Sequence, residues 1–416
     1  MNVRRSAAVL AATTVIGMAT PAAAADSSPS ASPSVELPSG LYGTTDPTYD
    51  GVWRQSLALL AQDSVGVRPA AKAVFWLTGQ QCANGAFAAY RADTAKACDA
   101  KLMVDTNSTA AAVQALAALR RHNAATDKAL AALAGYDAVT DKAVAWLKSV
   151  QNRDGGWGYA PGGASDTNST SVVIGALAAV GEKPAEAVRD GKSPYDALLK
   201  LALPCDDGGG AFAYQPDEKG KLAANADATA AGVLGALGTG LVVKAGKSEG
   251  AVCADPGTPE QAAANGAAYL TKAVAKDGHL TSALAGADDR PDYGNTADTV
   301  IALAAQGGTA AAQKPLKWLE QNAVTWAEQS GPAAYAQLIL AAHAAGTDPR
   351  DFGGTDLVKQ LNAQGPAPLT ATAVPEKDEE EDEEEDKDGG VSIWWFIGLN
   401  VVGAIGIGFL VRFGRN

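Results

Sequence analysis

One stretch of the chain recurs without a gap 61 residues later, and this restricts the fold more than anything else in the sequence. Asp105-Thr-Asn-Ser-Thr109 opens a segment that closes on Ala115-Leu-Ala-Ala118, and Asp166-Thr-Asn-Ser-Thr170 opens one that closes on Ala176-Leu-Ala-Ala179. Weaker copies follow over Asp227–Leu237, Asn295–Gly307 and Gly331–Gly346. Self-similarity of this kind means stacked units, each of which buries its apolar face only against its neighbours. Asp, Asn, Ser and Thr ahead of an apolar run are helix N-cap signals, and Gly181, Gly307 and Gly346 are C-cap signals. Each copy is therefore expected to be a helix.

A second element precedes several copies. Its clearest form is Lys142-Ala143-x2-Trp146-Leu147-x3-Gln151-x3-Gly155-x-Trp157, and Lys72-Ala73-x2-Trp76-Leu77-x3-Gln81-x3-Gly85-x-Phe87 keeps every spacing. Asn265-Gly266-x2-Tyr269-Leu270-x3-Val274-x3-Gly278-x-Leu280 keeps the spacing without the polar anchors, and Ala211-Phe212 and Trp318-Leu319 belong to more degenerate copies. The Trp-Leu pair suits the buried face of an outer helix. The Gln reaches the neighbouring unit, the Gly permits a turn, and the last aromatic packs back over it. The segment is rich in Ala, Gly and Leu and poor in β-branched runs, which favours helix.

The Lys142–Trp157 stretch resembles the QW repeat of the prenyltransferase/squalene oxidase and terpenoid cyclase superfamily, whose fold is a closed ring of helical hairpins. The resemblance implies an all-α chain: an α/α toroid of about six hairpins. Inner candidates lie near 54–62, 107–122, 168–181, 225–240, 295–307 and 331–346. Outer candidates lie near 69–81, 138–151, 193–203, 259–276, 310–327 and 353–363. Ala110–Ala112 and Ala230–Gly232 are expected to let inner backbones crowd toward a narrow centre.

The two ends read differently. Arg4 and Arg5, an apolar Ala7–Met18 and small residues at Ala22–Ala25 have the order of a secretory signal, residues 1–25. A Ser/Pro-rich leader over 26–45 follows, then the toroid over 46–364 and a Pro-rich, then acidic linker over 365–390. Val391–Val411 is an uncharged, mostly apolar run of 21 residues, long enough for one C-terminal transmembrane helix. Trp394 and Trp395 stand at its outer edge, and Arg412 and Arg415 lie in the short tail 412–416 that the positive-inside bias keeps cytoplasmic. Asn400 falls near mid-bilayer, where an amide seeks a partner or is simply tolerated. The expected location is the cell membrane, single-pass, with the repeat domain outside.

The formal net charge is −13, of which Glu376–Asp388 supplies −9 through eleven acidic residues and two lysines. Such a run reads as a solvated spacer, and no basic patch offers a site for nucleic acid. Outside the cell, four cysteines suggest disulfides. Their separations favour Cys82–Cys98 and Cys205–Cys253 among three connectivities. No CxxC exists and His122, His279 and His343 show no ligand spacing, so neither metal nor cofactor is expected.

The superfamily's carbocation cyclases protonate an alkene with a DxDD cluster. None occurs here: Asp206-Asp207 and Asp288-Asp289 have Pro204 and Gly286 where the leading acid belongs. Aromatic residues make up only 6% of the chain, too few for a cation-stabilising lining. A zinc-ligand set and a thioester motif are also absent, so the reading leans away from an enzyme.

The setting also resembles the vitamin B12 carriers, secreted disulfide-bonded toroids without catalysis, although their β-rich domain has no counterpart here. That resemblance implies ligand contacts at the inner-helix starts: Asp105 and Thr109, Asp166 and Thr170, Asp227 and Thr229, and Asn295 and Asp298. Tyr90, Trp157, Tyr159 and Tyr214 would floor the same mouth. Plain capping and repeat packing explain the same residues without a ligand. The expectation is capture of a small molecule, a corrinoid or an isoprenoid, for a membrane partner such as a transporter. The alternatives are a cyclase-like enzyme and an adhesive surface module. A dry centre with a polar mouth favours binding, and a large pocket with a buried carboxylate favours catalysis.

Overall fold

The computed structural model describes residues 39–126, 135–247, 253–282 and 290–369. The expected signal, most of the leader, most of the linker including its acidic run, the membrane run with Asn400, the tail and Asp288-Asp289 lie outside these residues. Among the described residues no helix is long and apolar enough to cross a membrane.

Local capping sets where the helices begin. Asp105 Oδ1 accepts from Ser108 N at 2.6 Å and Asp166 Oδ1 from Ser169 N at 2.6 Å. Asn225 Oδ1 accepts from Ala228 N at 2.8 Å and Asp292 Oδ1 from Asn295 N at 3.1 Å. Thirteen α-helices result among the described residues. They are α1 (Gly51–Ser64), α2 (Ala71–Gly79), α3 (Thr106–Thr126), α4 (Gly135–Ser149), α5 (Thr167–Ala179), α6 (Pro194–Leu201) and α7 (Ala226–Ala236). They continue with α8 (Pro259–Ala273), α9 (Tyr293–Gly307), α10 (Thr309–Asn322), α11 (Val324–Ser330), α12 (Pro332–Ala345) and α13 (Leu357–Ala363). A two-residue antiparallel pair, Leu280–Thr281 with Pro291–Asp292, leads into α9.

The ring closes on itself. α1 packs on α3, α3 on α5, α5 on α7, α7 on α9, α9 on α12, and α12 back on α1. Each of these six carries one outer helix: α2, α4, α6, α8, α10 and α13 in turn. Inner helices such as α12, with eleven of fourteen residues buried, are apolar on all sides because neighbours surround them. The two ends of the array are fastened to each other. Gln62 Nε2 donates to Asn362 Oδ1 at 2.6 Å, Tyr42 OH to Gln62 Oε1 at 3.0 Å, and Gly43 N to Gln364 O at 2.8 Å.

The outer motif pins adjacent units together. Gln81 Nε2 donates to Val139 O of the next unit at 2.7 Å and to Gly85 O at 3.0 Å. Gln151 repeats this with Ala187 O at 2.8 Å and Gly155 O at 2.7 Å. Gly155 takes φ +92°, and a Cβ there would lie 2.1 Å from Ser193 O. Only glycine allows both the turn and that approach. The fully buried Trp157 then donates Nε1 to Leu147 O at 2.7 Å, folding the turn back on its own helix. Disulfides join Cys82 to Cys98, within the excursion between α2 and α3, and Cys205 to Cys253, tying the segment after α6 to the segment before α8 across α7.

Three sequence expectations need correction. The outer candidate at 310–327 is two helices, α10 and α11, with buried Ala323 between them. The left-handed residue ending α9 is Gly308 (φ +76°), because Gly307 is still the last helical residue. Gly232 does not bring inner backbones together; a Cβ there would lie 2.6 Å from Phe212 Cγ, so it seats that ring. The close inner approach is at Gly235, where a Cβ would meet Ser171 Oγ at 2.3 Å.

Candidate ligand cavity at the ring centre

All six inner helices line one hollow of about 200 Å³ on the ring axis. Its polar end is formed by early residues of these helices: Asn107 on α3, Asn168 on α5 and Asp227 on α7, with Asp298 on α9 and Gln337 on α12 one turn further in. The walls are apolar, with Trp53 and Leu57 of α1, Val172, Leu234, Ile301 and Leu340. The far end is closed by the loop after α7, through Thr239, Gly240 and Leu241. Gln114 holds that loop across the ring. Its Oε1 accepts from Leu241 N at 2.8 Å while its Nε2 donates to Val172 O at 3.0 Å. Gly175 and Gly240 permit the crossing, since a Cβ on Gly175 would lie 2.7 Å from Gly240 Cα. A second hollow of about 190 Å³ shares Gln114, Thr239 and Gly240 with the first.

The acids at the polar end are strongly affected by their surroundings. Burial pushes the Asp298 carboxyl up to about 7, against a hydrogen bond from Gln337 that lowers it, and the charges of Asp227 and Asp292 raise it further. Gln337 Nε2 donates to both Asp298 oxygens, at 2.9 and 3.0 Å. Asp227 is also raised, chiefly by burial, while Asn168 Nδ2 donates to its Oδ2 at 3.0 Å. No Lys, Arg or His is among the residues lining the hollow.

Of the residues expected to form the mouth, the structure brings only Asp227 and Asp298 into the hollow. Asp105 and Asp166 are buried caps, and burial pushes Asp105 up to about 6 against the hydrogen bonds from Ser108. Thr109, Thr170 and Thr229 face away from the axis and hold the preceding turns. Their hydroxyls accept from Phe87 N at 2.9 Å, Trp157 N at 3.1 Å and Phe212 N at 2.9 Å. Asn295 spends its amide on Asp292, at 2.8 Å. Trp157 has no exposed surface, and Tyr90 stacks on Trp76 with ring centroids 6.5 Å apart. Tyr159 and Tyr214 remain 37% and 38% exposed beside the helix starts, where their carbonyls accept from Thr106 N at 2.8 Å and Thr167 N at 3.1 Å.

The register behind these expectations also shifts. The cap of α7 is Asn225, with Thr229 four residues on, and the cap of α9 is Asp292, with Thr296 four residues on. Asp227 is thus the counterpart of Asn107 and Asn168, two residues past the cap, and not of Asp105 and Asp166. The spacing of cap to threonine would have revealed this, and with it Asn107 and Asn168. Gln114, Ser171 and Gln337 leave no comparable signal, because their role depends on the loop and helices opposite them.

No family model matches the chain. A drimenyl diphosphate synthase of Streptantibioticus cattleyicolor is 41% identical over 75 residues, which is 18% of this chain and 13% of that enzyme. Among solved structures, the chain is similar to an ent-copalyl diphosphate synthase from Streptomyces platensis (TM-score 0.46, 17% identity, 71% of this chain and 50% of that one). It is similar to a protein from Actinoplanes (0.46, 16%, 74% and 93%) and to a glycosidase (0.47, 14%, 75% and 93%). At such scores these likenesses add nothing to the ring closure seen in the chain itself.

Proposed function

We propose that the chain is a small-molecule capture protein, held on the outer face of a membrane by Val391–Val411, which takes its ligand into the ring centre and passes it to a membrane partner such as a transporter. The observation that carries this reading is the hollow: six helices from distant parts of the sequence converge on one site, polar at one end and apolar along its walls. Small-molecule sites combine those two features. The tethering rests on the sequence of the two ends alone. A hollow of about 200 Å³ is too small to enclose a corrin. A corrinoid would therefore sit on the rim, its amides against Asn107 and Asn168, whereas part of an isoprenoid would enter.

Native mass spectrometry of the full chain, isolated from cells that make it, tests the reading. Wild type should retain an organic molecule that an Ala231→Trp variant, with the hollow filled, does not. Identical ligand-free spectra for both would refute capture at the ring centre. Cobalamin added to wild type without a change in its visible spectrum would remove the corrinoid.

One observation favours a second reading. Asp298 lines the hollow and its carboxyl, pushed up to about 7, holds a proton near neutrality, as a general acid must. Against it stand the small volume and the presence of a single aromatic side chain, Trp53, in the lining. Turnover of an isoprenoid diphosphate, lost on Asp298→Asn, would establish catalysis.

A further inference from the structure

The polar end of the hollow contains acceptors that lack donors. The bond from Asn168 Nδ2 to Asp227 fixes the orientation of that amide and leaves Asn168 Oδ1, on a residue that lines the site, as a buried and unbonded acceptor. Ser171 lines the same hollow at 4% exposure with an Oγ that nothing bonds, and Asn107 Oδ1 is a third buried oxygen without a partner. A buried acceptor left unpaired costs about 1–3 kcal/mol, and a buried carboxylate without a counter-charge costs more. Two acids and three unpaired oxygens in one pocket, with no basic side chain among the lining residues, are complementary to a positive group that donates several hydrogen bonds. No group of three metal-ligating side chains exists among the described residues, which argues against a coordinated metal. Leu57, Ile301 and Leu340 along the walls require the rest of the ligand to be apolar.

We infer that the ring centre selects a small organic cation, a primary ammonium on an apolar body, with its N–H groups between Asp227, Asp298 and Asn168 and its body along Leu57, Ile301 and Leu340. This rests on the reading of the ring as a capture protein and names the chemistry of what it captures. The six inner helices direct their N-termini toward the same end, and their dipoles favour anions. The two acids overcome that preference at the site itself.

The experiment is a pair of calorimetric titrations of the full chain at pH 8, with phenethylammonium and with its neutral counterpart 2-phenylethanol. The ammonium should bind at least tenfold more tightly. Asp298→Asn and Asp227→Asn should each reduce that preference several-fold, and Ala231→Trp should abolish binding of both compounds. Repeating the wild-type titration at pH 7 in buffers of different ionisation enthalpy should show proton release, absent in Asp298→Asn. Equal affinity for the two compounds would overturn the cation and leave capture at the ring centre standing. Binding of neither, or binding that survives Ala231→Trp, would overturn both.

Discussion

The units opening at Asp105 and Asp166 and those opening at Asn225 and Asp292 share a cap and a threonine four residues on, yet differ in what they present to the axis. In the first pair the acids are spent on capping, and the residues reaching the hollow, Asn107 and Asn168, are neutral amides. In the second pair the caps do the same work, but Asp227 and Asp298 bring additional carboxylates to the axis. Capping and threonine bonds build the ring identically around its circumference. Charge at the centre comes from one side only. The comparison separates residues that make the scaffold from residues that make the site, and it can be broken at either.

The largest expected effect is on the scaffold. Trp157→Ala removes a fully buried ring and its bond to Leu147, and should cost about 3–5 kcal/mol in denaturant unfolding. The opposite sign is expected at the site. The folded-state value for Asp298 is raised above its ordinary 3.8, so the folded protein holds a proton that the unfolded chain releases, and stability falls as pH rises from about 4 to about 7. Asp298→Asn should therefore raise the unfolding temperature by a few degrees at pH 8, with the gap closing near pH 4. A stabilised variant that binds less well would mark a carboxylate kept for function at a cost in stability.

Much of the ring was legible from residues alone. Asp166, Thr170, Gly155 and Trp157 act within one hairpin and its neighbour, so fixed spacings record them. The six inner and six outer segments could be placed on that basis, and so could both disulfides, Cys82–Cys98 and Cys205–Cys253. The hollow was not legible in this way. Gln337 meets Asp298 only because α12 packs on α9, and Leu241 meets Gln114 across 127 residues of chain. Apparent alignment also misled: Asp227 looks like Asp166 by residue type, while its distance to Thr229 places it with Asn168.

The smallest expected effect sharpens that last point. Asp166→Ala should cost about 1 kcal/mol through the lost cap. Asp227→Ala, two residues inside its helix, removes no cap and relieves a carboxyl disfavoured by burial, so it should cost less than Asp166→Ala. Equal losses in thermal or urea unfolding would restore the original register and dissolve the distinction between the two pairs of units.

The central claim, that the ring centre is where this protein holds its ligand, is tested most directly by a crystal structure of the full chain with its co-purified molecule bound. The account predicts ordered density for an organic molecule bounded by Asp227, Asp298 and Leu340. Density for that molecule against the outer helices, with only water in the hollow, would contradict it.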